Sequence, residues 1–105
     1  DSLVFDLWQF IQQDGLYKDK TALFITNDHG RHADGHKDGF ISHGDNCDEC
    51  QHISLLALGP DFVQGKVVRE QYGLTDIAPT IAQIMGIHLP AADGNLIYPL
   101  LEQGL

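Results

Sequence analysis

An aspartate and a histidine stand side by side at the end of an apolar run, in the segment FITNDHG at residues 24–30. A further histidine, His43, follows in the next loop. Carboxylate and imidazole groups are ligands of zinc and other first-row divalent ions, which support hydrolysis. Asp28 and His29 reach one ion only if the backbone turns between them, and Gly30 makes that turn inexpensive. The pattern predicts metal ligands in Asp28, His29 and His43, and the alternative is an ordinary turn after a strand.

Acidic and histidine side chains are concentrated in the segment 28–50. They are Asp28, Asp34, Asp38, Asp45, Asp48 and Glu49, together with His29, His32, His36 and His43. Such a concentration suits a cation site. His32 and His36 are candidates for the substrate side of the loop, and Arg31 or Lys37 for holding an anionic oxygen. For all four, a solvated position is the simpler interpretation.

The loop also contains a C-x-x-C pair, Cys47 and Cys50. Four interpretations stay open: a disulfide that staples the loop, two free thiols, a zinc site completed by the flanking His43 and His52, and a redox pair. In the disulfide case the protein is expected to be exported.

Composition limits the class of protein. With 105 residues the chain is one domain or part of one. The formal net charge of −9 argues against nucleic acid and anionic membranes as partners. No run approaches the roughly 18 apolar residues of a membrane span. The chain begins with Asp1 and without a signal-peptide pattern, so we expect an excised or processed segment.

Hydrophobic periodicity predicts an α/β fold. Leu3, Leu7 and Ile11 lie on one helix face, with a start at Asp1 or Ser2 and an end at Gly15. Unalternating apolar runs at 21–26 and 52–58 indicate strands covered on both faces, as in a parallel sheet. A helix capped by Thr75 is expected to end at Gly86, with an exposed third strand at 66–69 and a helical turn at 98–101.

Three blocks carry a resemblance to a known family. They are TNDHG at 26–30, HGDN at 43–46 with the strand end LGPDF at 58–62, and LTDIAPTIAQIMG at 74–86. In this order they resemble the alkaline phosphatase superfamily, which includes nucleotide pyrophosphatase/phosphodiesterases and sulfatases. The likeness covers residues 1 to about 100, and the second block favours the phosphodiesterase branch over the sulfatases.

The resemblance implies that residues 1–105 are the C-terminal part of a catalytic domain, a fragment of an α/β/α sandwich with a largely parallel sheet. Asp28 and His29 match ligands of one divalent ion and His43 a ligand of a second. The ions are expected to be zinc, with manganese or calcium as alternatives. The family's nucleophile and remaining ligands lie upstream, so this chain contains no catalytic nucleophile.

The expected reaction of the whole protein is therefore hydrolysis of a phosphate or sulfate ester in the periplasm or outside the cell. The expected partner is the N-terminal part of the same domain, and the 105 residues alone are expected to be inactive. The competing hypothesis is a non-catalytic module that binds a metal or a partner and is stapled by Cys47 and Cys50.

Overall fold

The computed structural model describes all 105 residues. The chain forms two compact units, one of Asp1–Leu23 with Ala57–Leu105 and one of Phe24–Leu56. Its regular elements are α1 (Ser2–Gln13), β1 (Leu23–Thr26), α2 (Asp48–Gln51), β2 (Leu55–Leu58) and α3 (Ile77–Met85), with 3₁₀ helices at Leu74–Asp76 and Tyr98–Leu100. The helical turn expected near Tyr98 is therefore present.

Helix α1 is the amphipathic helix that the apolar spacing predicted. It begins after Asp1 and ends at Gln13, where the following Asp14 takes an extended conformation. Only Ile11 is buried, while Leu3 is 81% exposed and Phe10 58% exposed. The sequence thus predicted the helix, but most of its apolar surface is not covered within this chain.

The two strands pair side by side in a two-stranded sheet. They run antiparallel: Gly59, after β2, lies against Thr21 and Ala22, before β1. At the other end, the backbone N–H of Ser54 donates to the side chain of Asn27 at 2.8 Å. The parallel arrangement that the sequence predicted is therefore wrong for this pair. An apolar run without alternation indicates that both faces of a strand can be buried, but it carries no information on strand direction.

The strand expected at residues 66–69 does not form. The nearby β-type pairing is instead an antiparallel bridge between Phe62 and Leu101. Both side chains of this bridge are buried, with 4% and 6% exposure. The apolar Val67 remains 74% exposed, and Val68 beside it is half-buried.

Helix α3 ends at Gly86, which has a φ of 66°, as the sequence predicted. Its start differs from the prediction, because Asp76 rather than Thr75 precedes the first helical residue. A 3₁₀ turn leads into the helix, and the Asp76 carboxylate accepts from the backbone N–H of Gly73 at 2.7 Å. Thr80 is fully buried; its hydroxyl donates to the Asp76 carbonyl at 2.7 Å and accepts from Ile97 N at 3.0 Å.

The Phe24–Leu56 unit is mostly irregular backbone held by local hydrogen bonds. Gly30 N donates to the carbonyl of Cys50 at 2.7 Å, and His32 N donates to the carbonyl of Ser42 at 3.1 Å. Phe40 N donates back to His32 O at 2.8 Å. These bonds fold the long loop on itself and bring its histidines and acids together. None of the helices has the length and apolar character needed to cross a membrane.

Candidate metal centre

Asn27 fixes the backbone that presents the Asp-His pair. Its amide nitrogen donates to the carbonyl of His29 at 2.8 Å, and its amide oxygen accepts from Ser54 N at 2.8 Å. The side chain thus closes the turn after β1 and ties it to the residue before β2. This is the backbone turn that the sequence required if Asp28 and His29 were to converge.

Asp28 and His29 do converge. Nε2 of His29 lies 3.5 Å from Oδ1 of Asp28. Nδ1 of His29 lies 2.8 Å from the carbonyl oxygen of Gly30, which can only accept, so Nδ1 carries the proton. In the neutral ring the lone pair is then on Nε2, beside the carboxylate. A fixed tautomer of this kind is typical of histidines that bind metal.

His43 joins this pair. Its ring stacks on that of His29 with centroids 3.9 Å apart and planes 5° from parallel. The Asp28 side chain is 84% exposed and that of His29 36% exposed, so the group is open to solvent. The structure thus places His29 beside both Asp28 and His43, but the three do not form a cluster whose ligand atoms all lie within 4.8 Å of one another. Their binding of metal stays a prediction.

A second cluster surrounds His32, whose side chain is 4% exposed. Nδ1 of His32 lies 2.6 Å from Oδ1 of Asp38, and Nε2 lies 3.0 Å from Oδ2 of Asp45. His36 stacks on His32 with centroids 3.8 Å apart, and its Nδ1 lies 2.6 Å from the same Asp38 oxygen. His32 is therefore a buried group held from both sides by carboxylates.

The charges of this cluster support each other. The hydrogen bond to Asp38 raises the pKa of His32 above its ordinary value, and Asp45 adds to the effect. The same bond lowers the pKa of Asp38. Hydrogen bonds from Cys47 lower the pKa of Asp45 to about 2. Without a metal, the buried imidazole is thus favoured in its protonated form between two carboxylates.

Cys47 and Cys50 are free cysteines, so the structure has no disulfide staple. Cys50 is buried, and its N–H donates to Sγ of Cys47 at 3.3 Å. Hydrogen bonding to Cys50 and then to Asp45 raises the pKa of the Cys47 thiol to about 12. Ligand atoms of His32, Asp45, Cys47 and Cys50 all lie within 4.8 Å of one another.

The zinc interpretation of the sequence completed the cysteine pair with His43 and His52, whereas the structure places His32 and Asp45 beside it. Asp45 is close in sequence, and its Oδ1 accepts from Cys47 N at 2.9 Å, so the spacing D-x-C-x-x-C carried a signal for it. His32 is distant in sequence, and only the folding of the loop brings it to the cysteines.

Of the two loop cations, Arg31 supports the backbone: its Nη1 donates to the carbonyl of Phe40 at 3.1 Å. Lys37 is exposed. His36 contacts His32 and Asp38 as described, which gives it a structural partner. No contact in the structure ties these three side chains to a substrate role.

Comparison with known proteins gives partial matches. Arylsulfatase K of Xenopus laevis is 28% identical over 103 residues, which cover 97% of this chain and 19% of that protein. The sulfatase ppz1 of Metarhizium majus is 32% identical over 91 residues, or 85% of this chain and 21% of that protein. The chain is similar to sulfatases.

A protein of Myroides odoratus named calcium-transporting ATPase is 42% identical over 69 residues, or 65% of this chain and 12% of that protein. The chain thus spans about a fifth or less of the length of these relatives. No protein-family model and no solved structure matches it.

Proposed function

We propose that these 105 residues are part of the catalytic domain of a sulfatase-like enzyme of the alkaline phosphatase superfamily, which hydrolyses sulfate esters with the help of divalent metal ions. The proposal rests on the contacts of His29 with Asp28 and with His43, in a chain whose relatives include sulfatases. The contacts and the similarity support the proposal together, because an Asp-His-Gly turn by itself is common.

Charge supports a role for metal. The Phe24–Leu56 unit carries six acidic side chains against only Arg31 and Lys37 as cations. A sulfate ester is an anion, so this unit would repel it unless bound cations reversed the local field. One carboxylate and two imidazoles form a donor set that suits zinc first, and manganese as well. Calcium prefers oxygen ligands, so the histidines make it the weaker candidate.

The residues of this chain would hold and orient the ions. Asp28 offers an exposed carboxylate, and His29 offers Nε2 because Gly30 O fixes the proton on Nδ1. The rings of His29 and His43 are stacked with centroids 3.9 Å apart. The family resemblance assigns His29 to one ion and His43 to its neighbour. Such ions, when bound, polarise the ester oxygens and stabilise developing negative charge.

The sulfate class is preferred here over the phosphodiesters that the second sequence block favoured. The reason is that sulfatases are among the relatives, of which arylsulfatase K matches nearly the whole chain. A periplasmic or secreted location and the upstream origin of the nucleophile belong to the same proposal, and both rest on the family resemblance.

The test is hydrolysis by the full-length protein. We expect turnover of an aryl sulfate at a rate well above that of an aryl phosphodiester, with loss of activity in a chelator and recovery with zinc or manganese. Asp28→Ala and His43→Ala should each lower kcat/KM by at least about 100-fold, because each removes one ligand of an essential ion.

Asp34→Ala is the matched control, since Asp34 is an exposed acid of the same loop without a hydrogen bond in the cluster. It should leave the rate unchanged. Preferred turnover of the phosphodiester would move the protein to the phosphodiesterase branch. Metal binding without turnover of either ester would favour the non-catalytic binding module.

A further inference from the structure

We propose that Cys47, Cys50, His32 and Asp45 form a structural zinc site, separate from the ions proposed for Asp28, His29 and His43. The site goes beyond the proposed hydrolase function, which does not use these four residues. Its basis is that four potential ligands, including two cysteines, lie within 4.8 Å of one another around a buried histidine and a buried cysteine.

The donor set and spacing suit zinc. Two thiolates, one imidazole and one carboxylate supply four donors, which is the coordination number of structural zinc sites. Tetrahedral bonds of about 2.0–2.3 Å separate neighbouring ligand atoms by roughly 3.3–3.8 Å. The four ligand atoms lie within 4.8 Å of one another, so the most distant of them would have to approach by at most about 1–1.5 Å. Cys47 and Cys50 also have the C-x-x-C spacing common in zinc sites.

Hydrogen bonds already orient the ligands. Asp38 is hydrogen-bonded to Nδ1 of His32, so Nε2 of His32 faces Asp45 and the cysteines. A carboxylate behind a ligating histidine in this way fixes the ring and strengthens its donor atom. Asp45 divides its oxygens similarly, with Oδ1 on Cys47 N and Oδ2 toward His32. The N–H of Cys50 donates to Sγ of Cys47 at 3.3 Å, which holds the sulfur in position.

A second potential cluster, His32 with His36 and Asp38, shares the same histidine. It offers only three ligands, and His36 is exposed. Asp38 in it already accepts from both rings with a single oxygen. The cysteine cluster has the fourth ligand and the softer donors, so it is the better zinc site.

The site would brace the proposed catalytic loop from two directions. Asp45 lies two residues after His43, and Cys50 O accepts from Gly30 N, directly after His29. Zinc at the cluster would therefore restrain the backbone next to both histidines. It would do so without a disulfide, in agreement with the two free cysteines.

Cobalt titration of the metal-free, reduced full-length protein tests the site, because sulfur-to-cobalt charge-transfer absorption arises only where thiolates bind the ion. We expect this absorption to saturate at one cobalt per chain, and zinc to abolish it. The proposed catalytic ligands contain no sulfur, so Asp28→Ala should leave the absorption intact. The outcome is thus independent of the hydrolase proposal.

The double variant Cys47→Ser with Cys50→Ser should lose the absorption, and His32→Gln or Asp45→Asn should weaken cobalt binding by at least about 10-fold. Asp48→Asn, an exposed acid beside Cys47, is the matched control and should bind normally.

Should these variants fail to fold, alkylation of the wild-type thiols decides: zinc should protect both cysteines. Equal alkylation with and without zinc, absence of the absorption, or a Cys47–Cys50 disulfide in the purified protein would overturn the proposal.

Discussion

At the scale of single residues, Asp76 shows how one carboxylate can organise a chain segment. Its Oδ2 accepts from Gly73 N and its Oδ1 from Asn95 N, both at 2.7 Å. These backbone donors hold the pKa of Asp76 below its ordinary value. The side chain is 9% exposed, so water offers little replacement for either bond. Asp76 therefore fixes the entry to α3 and the loop at Asn95 together.

The variant Asp76→Asn measures how much these hydrogen bonds stabilise the segment. The amide has one acceptor oxygen and no charge, so at least one backbone N–H loses its partner. We expect the free energy of local unfolding to fall by about 2 kcal/mol, which is roughly 30-fold faster hydrogen exchange in peptides around Gly73 and Asn95. Asp93→Asn, at an exposed acid, should change exchange little. Unchanged protection in Asp76→Asn would contradict the assignment.

The same carboxylate predicts a pH dependence. Because folding lowers the pKa of Asp76 from 3.8, its contribution is fully present above that pH and is lost as the pH falls through the lower folded value. The difference in local stability between wild type and Asp76→Asn should therefore be constant near neutrality and shrink below about pH 3.8. Unfolding measured at a series of acid pH values checks this. A difference that grows on acidification would contradict the sign.

At the scale of elements, the loop between the strands depends on a close backbone approach at Gly30. A Cβ added there would overlap the carbonyl oxygen of Glu49 and lie 2.9 Å from the carbonyl oxygen of His52. Both neighbours are backbone atoms, so neither can move aside cheaply. The glycine that allows the turn after Asp28 and His29 is thus also the point where the two ends of the loop meet.

Gly30→Ala should therefore disrupt the loop and, with it, the proposed metal sites. We expect full-length protein to lose most ester hydrolysis and to show fast hydrogen exchange across residues 30–50. Gly44→Ala is the matched control, because nothing lies within 4 Å of an added Cβ and no positive φ is recorded there. Equal activity of the two variants would show that the close approach at Gly30 is not needed.

The elements also show what the sequence could and could not predict. Helix α1 and the end of α3 at Gly86 followed from local periodicity and capping, which act over a few residues. Strand direction and the contacts of His32 depend on how segments that are distant in the sequence pack against each other. The apolar run of β1 fits either direction. The motifs named Asp28, His29 and His43 as candidates, and the structure places His29 beside each of the other two. The approach of His32 to Cys47 had no sequence signal.

At the scale of the whole molecule, apolar surface is distributed in an unusual way. Large apolar side chains are exposed on α1, β2 and α3. They include Leu3, Phe5, Phe10, Leu56, Ile81 and Met85. The three apolar residues of β1 are only partly buried although the run suits burial on both faces. Exposed surface of this kind marks contact with other protein. We expect that protein to be the upstream part of the same catalytic domain.

The 105 residues expressed alone should then associate and lack activity. Their apolar faces would stay in water, so we expect oligomers or aggregates by light scattering and binding of a hydrophobic dye, both weaker in the full-length protein. Aryl sulfate turnover by the isolated chain should stay at the background rate even with added zinc, because the nucleophile and the remaining metal ligands are expected upstream. An isolated chain that is monomeric and hydrolyses the ester efficiently would show that the site is complete within these residues.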